Sequence, residues 1–254
     1  MSHQRRAAVA GRFYLSDADL LRAAVSSMLD AVEVNEDEPL ARAYVVPHAG
    51  HRFSGSVAAQ VYARLRRHRE KIHRIVLIGP SHFVRLTGMA ASPATSWDTP
   101  LGTVAAERAH GLQAHAQPHE REHSLEVQLP FLQECLDDFV IVPVAVGKTP
   151  TAGIVGVLDR LVDDSSLLLC STDLSHFHEL ETAKQLDAAT ADAVLDGDSE
   201  RIGPGDACGL FALRGTVAWA KAHGATARLL RLGTSADAGA DPSRVVGYPA
   251  FAFG

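Results

Sequence analysis

The stretch AYVVPHAGH, residues 43–51, sets the organisation that we predict for the rest of the chain. Residues 44–46 are aromatic or β-branched, which favours a buried strand. Pro47 ends this strand because proline cannot donate a hydrogen bond to a sheet ladder. His48 therefore lies on the loop at the carboxyl end of the strand, which is the edge where open α/β sheets bind their ligands.

The same pattern, an apolar strand followed by a polar loop with histidine, occurs at two further places. Residues 75–78 (IVLI) run into GPSH at 79–82, and residues 166–170 (SLLLC) run into a segment that contains Asp173 and His176. Parallel strands of one sheet present their carboxyl ends at the same edge. We therefore expect the three junctions to bring their side chains together.

Between these junctions, helical and strand-like patterns alternate along the chain. Apolar residues at helical spacing predict helices, and short apolar runs predict further strands. This alternation predicts an α/β fold in one domain spanning residues 1–254, with a central mixed sheet flanked by helices. The predicted helices cover about 18–32, 57–69, 151–162, 181–195 and 209–223, and the later strands cover 139–147, 227–232 and 245–253.

Composition excludes several classes of protein. The chain has 254 residues, of which 46% are hydrophobic, and a net charge of −6, so nothing in the bulk charge favours nucleic-acid binding. No run of 18 apolar residues predicts a membrane helix, and no apolar signal region follows the first residues. Three cysteines are too few and too scattered for a disulfide framework. We expect a cytoplasmic protein that binds neither nucleic acid nor membrane.

The junction residues have the chemistry of a metal site. Imidazole and thiolate are ligands for iron, copper and zinc, which makes His48, His82 and Cys208 candidate ligands. A turn-rich segment precedes the helix that follows Cys208, so we expect this cysteine near a helix N-terminus, where the helix dipole lowers a thiol pKa. Asp173 and His176 remain available to move protons.

Each of these residues also has a structural interpretation. A histidine after a strand is often a hydrogen-bonded loop residue, Cys208 could be a small buried apolar group, and Asp173 could cap a helix. His123 and Glu126 lie three residues apart and would share one face of a helix, where His123 could pair with Glu126 or Glu122. The sequence lacks the serine nucleophile elbow and both glycine-rich phosphate loops, which disfavours serine hydrolases and nucleotide-binding enzymes.

Several motifs, taken in order, resemble the MEMO-like protein family, which includes the AmmeMemoRadiSam system protein B group. The resemblance covers nearly the whole chain, and it implies a fold similar to that of LigB-type extradiol dioxygenases, non-haem iron enzymes that cleave catechol rings. The motifs are AVAGRFY at 8–14, PHAG at 47–50, FSG at 53–55, GPSH at 79–82, TPLG at 99–102, EHSLEVQLPFL at 122–132, STDLSH at 171–176 and CG at 208–209.

The resemblance implies that His48, His82 and Cys208 hold a metal, most simply Fe(II), with copper or zinc as other candidates. Asp173 and His176 match the pair beside that site. The sequence departs from the family pattern at His51, where an aromatic residue is expected, and this histidine could line the substrate pocket or add a fourth nitrogen.

Our leading hypothesis is a non-haem iron(II) dioxygenase-type oxidoreductase that acts on a small, catechol-like aromatic substrate. His176 would serve as general acid/base, Asp173 would orient it and His123 would assist. The substrate would contact three further residues, His51, Ser81 and Glu126.

Two other functions stay open at the level of sequence. A thiolate ligand suits Cu(I) or zinc as well as iron. The protein could therefore be a non-catalytic iron-binding, copper-binding or peptide-binding protein, or a zinc-dependent hydrolase. The name of the family group also raises a radical-SAM protein as a possible partner.

Overall fold

The computed structural model describes residues 4–254 and confirms a mixed α/β fold in which one sheet is flanked by helices. Its helices are α1 (Ala18–Asp30), α2 (His51–Arg67), α3 (Gln117–Glu120), α4 (Leu129–Cys135), α5 (Thr151–Leu161), α6 (Leu180–Leu195) and α7 (Leu210–Ala222). Its strands are β1 (Gln4–Arg5), β2 (Ala43–Val46), β3 (Arg74–Pro80), β4 (Met89–Ala91), β5 (Ser96–Thr99), β6 (Gly102–Ala106), β7 (Val140–Val146), β8 (Ser166–Ser171), β9 (His176–His178), β10 (Ala227–Thr234) and β11 (Val245–Phe253).

The sheet has parallel strands at its centre and antiparallel pairs on both sides. Its order is β1-β5-β6-β7-β3-β8-β2-β11-β10, with β4 paired to β7 and β9 paired to β11. Strands β7, β3, β8 and β2 run parallel, whereas β2–β11, β11–β10 and β5–β6 are antiparallel. The three strands that lead into the predicted junctions, β3, β8 and β2, are therefore direct neighbours with their carboxyl ends at one edge.

Two apolar clusters cover the two faces of the sheet. Successive side chains of a strand point to opposite faces, and in β2 the side chains of Tyr44 and Val46 join one cluster while Ala43 and Val45 join the other. Helices α1, α2 and α4 pack on the first face, and α5, α6 and α7 pack on the second. This double cover explains why the central strands read as continuous apolar runs.

Helix α2 begins at His51, six residues before the predicted start. The segment Ser54-Gly55-Ser56, which precedes the helix predicted at 57–69, lies inside the first turns of α2. Gly55 packs directly on α1, because a Cβ atom at this position would lie 2.4 Å from the sulfur of Met28. Small residues here serve a close helix–helix contact, and the prediction mistook them for a break.

None of the helices in residues 4–254 combines the length and apolar character needed to cross a bilayer.

Candidate metal centre

Three imidazole rings converge at the carboxyl edge of the sheet. His48 follows β2 and His82 follows β3, while His123 comes from the loop between α3 and the short 3₁₀ turn that precedes α4. Each ring offers one nitrogen, and these three nitrogens all lie within 4.8 Å of one another. The ring of His123 stacks on that of His82 with their centroids 4.6 Å apart.

This cluster fits a transition-metal ion. Metal–imidazole distances are about 2.1 Å, so two nitrogens bound to one ion lie at most about 4.2 Å apart. Side-chain movements of a few tenths of an ångström would therefore bring the cluster around an ion. In addition, Nδ1 of His123 is buried and makes no hydrogen bond among the described residues, although a carboxylate oxygen of Glu122 lies 3.3 Å away. Buried polar atoms are normally partnered, so this nitrogen has capacity for a further partner such as a metal ion.

Ser171, at the end of β8, determines the tautomer of His48. The Ser171 hydroxyl donates to the carbonyl of Ser124 at 2.7 Å. It lies 2.9 Å from Nδ1 of His48 and must accept the proton of that nitrogen, because its own proton is already used. The other nitrogen, Nε2, then carries a lone pair toward the cluster. Burial is the main factor that lowers the pKa of His48, so its ring is neutral, as a ligand must be.

Glu122 holds His82 in the same way. Its carboxylate lies 2.9 Å from Nδ1 of His82 and also accepts the backbone N–H groups of His82, His123 and Ser124. Burial alone would raise the pKa of Glu122, but its hydrogen bond to His82, its electrostatic interaction with that residue and the backbone hydrogen bonds lower this pKa to about 2. A buried carboxylate that orients a histidine leaves the far ring nitrogen free for a metal.

Cys208 lies beside this cluster, directly before the N-cap residue of α7. Its sulfur lies 3.1 Å from Nε2 of His48, and the backbone N–H of Asp173 donates to the sulfur at 3.3 Å. The expectation that the helix terminus lowers the thiol pKa is wrong, because burial and the charge of Asp173 raise it. The neutral thiol therefore donates to His48, and a metal ion would displace its proton.

Asp173 and His176 lie next to the cluster. Asp173 was expected to orient His176, but the two side chains form no hydrogen bond or ion pair. One carboxylate oxygen of Asp173 accepts the backbone N–H of His48 at 2.7 Å, and burial raises the pKa of this carboxyl to about 6. Nδ1 of His176 donates instead to the carbonyl of Leu174 at 2.8 Å. The orientation of His176 thus depends on Leu174, and its role in proton transfer stays a prediction.

The three residues predicted to contact substrate, His51, Ser81 and Glu126, are bonded to other parts of the chain. His51 packs against Tyr14 and Phe131, and its Nε2 bonds to the carbonyl of Val127 at 2.8 Å. The hydroxyl of Ser81 donates to the backbone carbonyl of Val84 in the same loop, at 2.9 Å. Their contact with substrate stays a prediction.

Glu126 is fully buried and belongs to a different network. Its carboxylate pairs with Arg5 at 2.7 Å and accepts the hydroxyl of Tyr14 at 2.6 Å. His123 and Glu126 do not share a helix face, because His123 lies in a loop and the 3₁₀ turn begins only at Glu126. This arrangement directs His123 toward the metal cluster and Glu126 toward the N-terminal segment.

Sequence reasoning missed the roles of Glu122 and Ser171. Glu122 appeared only as a possible partner of His123, although an acidic residue beside a candidate ligand is a useful signal for an orienting carboxylate. Ser171 follows the apolar run Leu167–Cys170 at the end of β8, and a polar residue at that position was the available signal.

Together these features define a mixed α/β protein with a candidate histidine-rich metal centre at the carboxyl edge of its sheet. The model of the Memo-like protein family matches residues 5–252, and the chain belongs to that family. It is 35% identical to a MEMO1 family protein of Methanosarcina mazei, over 97% of each chain. A second MEMO1 family protein, from Methanococcoides burtonii, is also 35% identical over 97% of this chain and 98% of its own. A bacterial MEMO1 family protein, from Thermotoga petrophila, is 31% identical over 96% of this chain and 98% of its own.

Proposed function

We propose that this protein binds a divalent transition metal through His48, His82 and His123, with Cys208 as a further donor, and acts as a dioxygenase-type oxidoreductase. The observation that carries the proposal is the convergence of three ring nitrogens within 4.8 Å. The sulfur of Cys208 lies 3.1 Å from Nε2 of His48, at the edge of the cluster rather than within 4.8 Å of all three histidines, and would be a fourth donor after a shift toward the ion. Iron(II) is the metal we favour, because imidazole is among its ligands and the family resemblance implies iron chemistry.

Iron(II), when bound, would supply redox chemistry toward oxygen and a position for the two oxygens of a catechol-like substrate. The chain's own residues orient the ligand histidines and transfer the substrate proton. Ser171 and Glu122 keep His48 and His82 in the tautomer that presents Nε2. Because Nδ1 of His176 donates to a backbone carbonyl, its Nε2 is the basic nitrogen that can accept a substrate proton.

The surroundings of the centre support a small aromatic substrate. Phe83 is 52% exposed, and its ring lies 6.0 Å from that of His123. Phe177, which is 60% exposed, packs edge-on against His176. The guanidinium groups of Arg121 and Arg244 lie over the rings of Phe83 and Phe177, so a planar substrate would stack on the parts of these rings that remain exposed.

The first test is metal content after anaerobic purification, followed by oxygen uptake with a panel of catechols. The proposal expects about one iron per chain in the wild type and in the control variant His110→Ala, whose histidine is exposed. It expects loss of iron in His48→Ala and His123→Ala. Oxygen uptake should follow the iron. Iron retained by both histidine variants would overturn the site, and a loaded protein that consumes no oxygen with any catechol would overturn the activity.

A second candidate is a metal-binding protein without turnover, and the thiol of Cys208 favours it. Three imidazoles and a thiolate form a donor set that also suits copper or zinc. Copper or zinc retained through purification, lost in Cys208→Ala and unaccompanied by oxygen uptake, would support this function over the first.

A further inference from the structure

We infer a second binding site, for an apolar carboxylic acid, in a cavity of about 500 Å³ between α1, the start of α2 and the loop at residues 11–15. Small-molecule sites in proteins commonly enclose about 300–1,000 Å³. The inference does not depend on the metal or on the activity proposed above.

The walls of the cavity are mainly apolar. Leu21, Ala24 and Met28 come from one side of α1, and Phe13 and Leu15 come from the loop. Leu15 keeps 46% of its surface exposed, so part of the apolar wall is open to solvent and available to a ligand. The flexible thioether of Met28 lets the wall adapt to an elongated apolar occupant.

The charged groups that line the cavity, Arg12 and Arg52, are both positive. Both side chains are exposed, and neither forms an ion pair with any residue in the range 4–254. Arg52 also lies in the first turn of α2, a helix of 17 residues whose N-terminal end carries partial positive charge. An apolar interior with unpaired cations at its edge is complementary to a ligand with an apolar body and one anionic head group.

The cavity is adjacent to the metal centre but separate from its donors. Phe13 lines the cavity and also packs on His123, with the ring centroids 4.5 Å apart. His51 lines it too, but its Nε2 is already bonded to the carbonyl of Val127. Binding of an acid in this cavity can therefore be measured independently of metal binding.

The test uses isothermal titration calorimetry of the full chain with decanoate and with 1-decanol, both below their aggregation limits. We expect saturable binding of decanoate at one site, with 1-decanol about tenfold weaker because it lacks the charge. The double variant R12Q/R52Q should weaken decanoate about tenfold and leave decanol unchanged. Ala24→Trp should abolish both, because the indole fills the cavity.

Two controls keep the result interpretable. Arg108→Gln removes an exposed arginine that does not line the cavity, so this variant should bind decanoate like the wild type. Far-ultraviolet circular dichroism and metal content should be unchanged in Ala24→Trp, which separates a filled cavity from a misfolded chain. Absence of decanoate binding, or equal binding by the wild type and R12Q/R52Q, would overturn the proposal whatever the metal experiments show.

Discussion

Glu126→Gln removes one negative charge from the buried network that joins the N-terminal segment to the rest of the protein. The carboxylate is fully buried and receives only donors: the guanidinium of Arg5 at 2.7 Å, the hydroxyl of Tyr14 at 2.6 Å and the backbone N–H groups of Ala8 and Val9 at about 3.0 Å. A glutamine has nearly the same shape but one acceptor oxygen, so its NH₂ group must face a donor.

The magnitude follows from the burial of both partners. Arg5 is only 5% exposed, and its remaining donors bond to the backbone carbonyls of His119 and Glu122. The substitution therefore leaves a buried guanidinium without its counter-charge. Removal of one partner from a buried ion pair costs about 3–5 kcal/mol of the free energy of unfolding. The Glu181–Lys184 pair, whose side chains are 68% and 54% exposed, provides a matched surface control for which we expect a far smaller loss, because solvent screens exposed charges.

The assay is equilibrium unfolding in urea for the wild type, Glu126→Gln, Glu181→Gln, Arg5→Met and the double variant R5M/E126Q. The double variant should lose clearly less stability than the two single losses added together, because it removes both charges at once. If the losses of the two single variants simply added up in the double variant, Arg5 and Glu126 would not be coupled. A loss below about 1 kcal/mol in Glu126→Gln would refute the structural role of this carboxylate. Folded Glu126→Gln should keep its metal, since Glu126 lies outside the histidine cluster.

Three further predictions concern packing, pH and the metal centre. In the same urea assay, Gly215→Ala should destabilise the protein by about 1–3 kcal/mol, because its Cβ would lie 2.3 Å from a methyl group of Ile154 in α5. Gly153→Ala is the control: its Cβ would lie 3.5 Å from its nearest neighbour, so it should be neutral or stabilising by up to about 1 kcal/mol. Burial lowers the pKa of His119 to about 4, below its unfolded value near 6.5, so the unfolded state binds more protons in this range. The free energy of unfolding should therefore fall by up to about 3 kcal/mol as the pH drops from 6.5 to 4. This fall should be smaller in His119→Gln, and an unchanged pH dependence in that variant would contradict the lowered pKa of His119. Glu122→Gln should weaken metal affinity about 10- to 100-fold in a chelator competition, because the carboxylate no longer orients His82, and an affinity equal to wild type would exclude that role.

Much of the fold could be predicted from local pattern. Apolar runs such as residues 75–78 and 166–170 are strands in the structure, and apolar residues at helical spacing mark α1 and α5–α7. These predictions succeed because the period of buried residues reflects the backbone conformation of the segment itself. The start of α2 was placed too late because the packing of Gly55 on α1 is a long-range contact that the local pattern does not contain.

In the candidate metal centre, too, some features follow from local sequence pattern and others only from long-range contacts. The sequence by itself determined that His48, His82 and Asp173 follow parallel-type strands, and parallel strands present their carboxyl ends at one edge, so the convergence of these loops could be expected. Only the tertiary structure decided that His123 joins the cluster and that Glu126, three residues later, turns to Arg5. It also decided that the thiol of Cys208 has a raised pKa, because burial and neighbouring charge depend on segments that meet only in the folded chain.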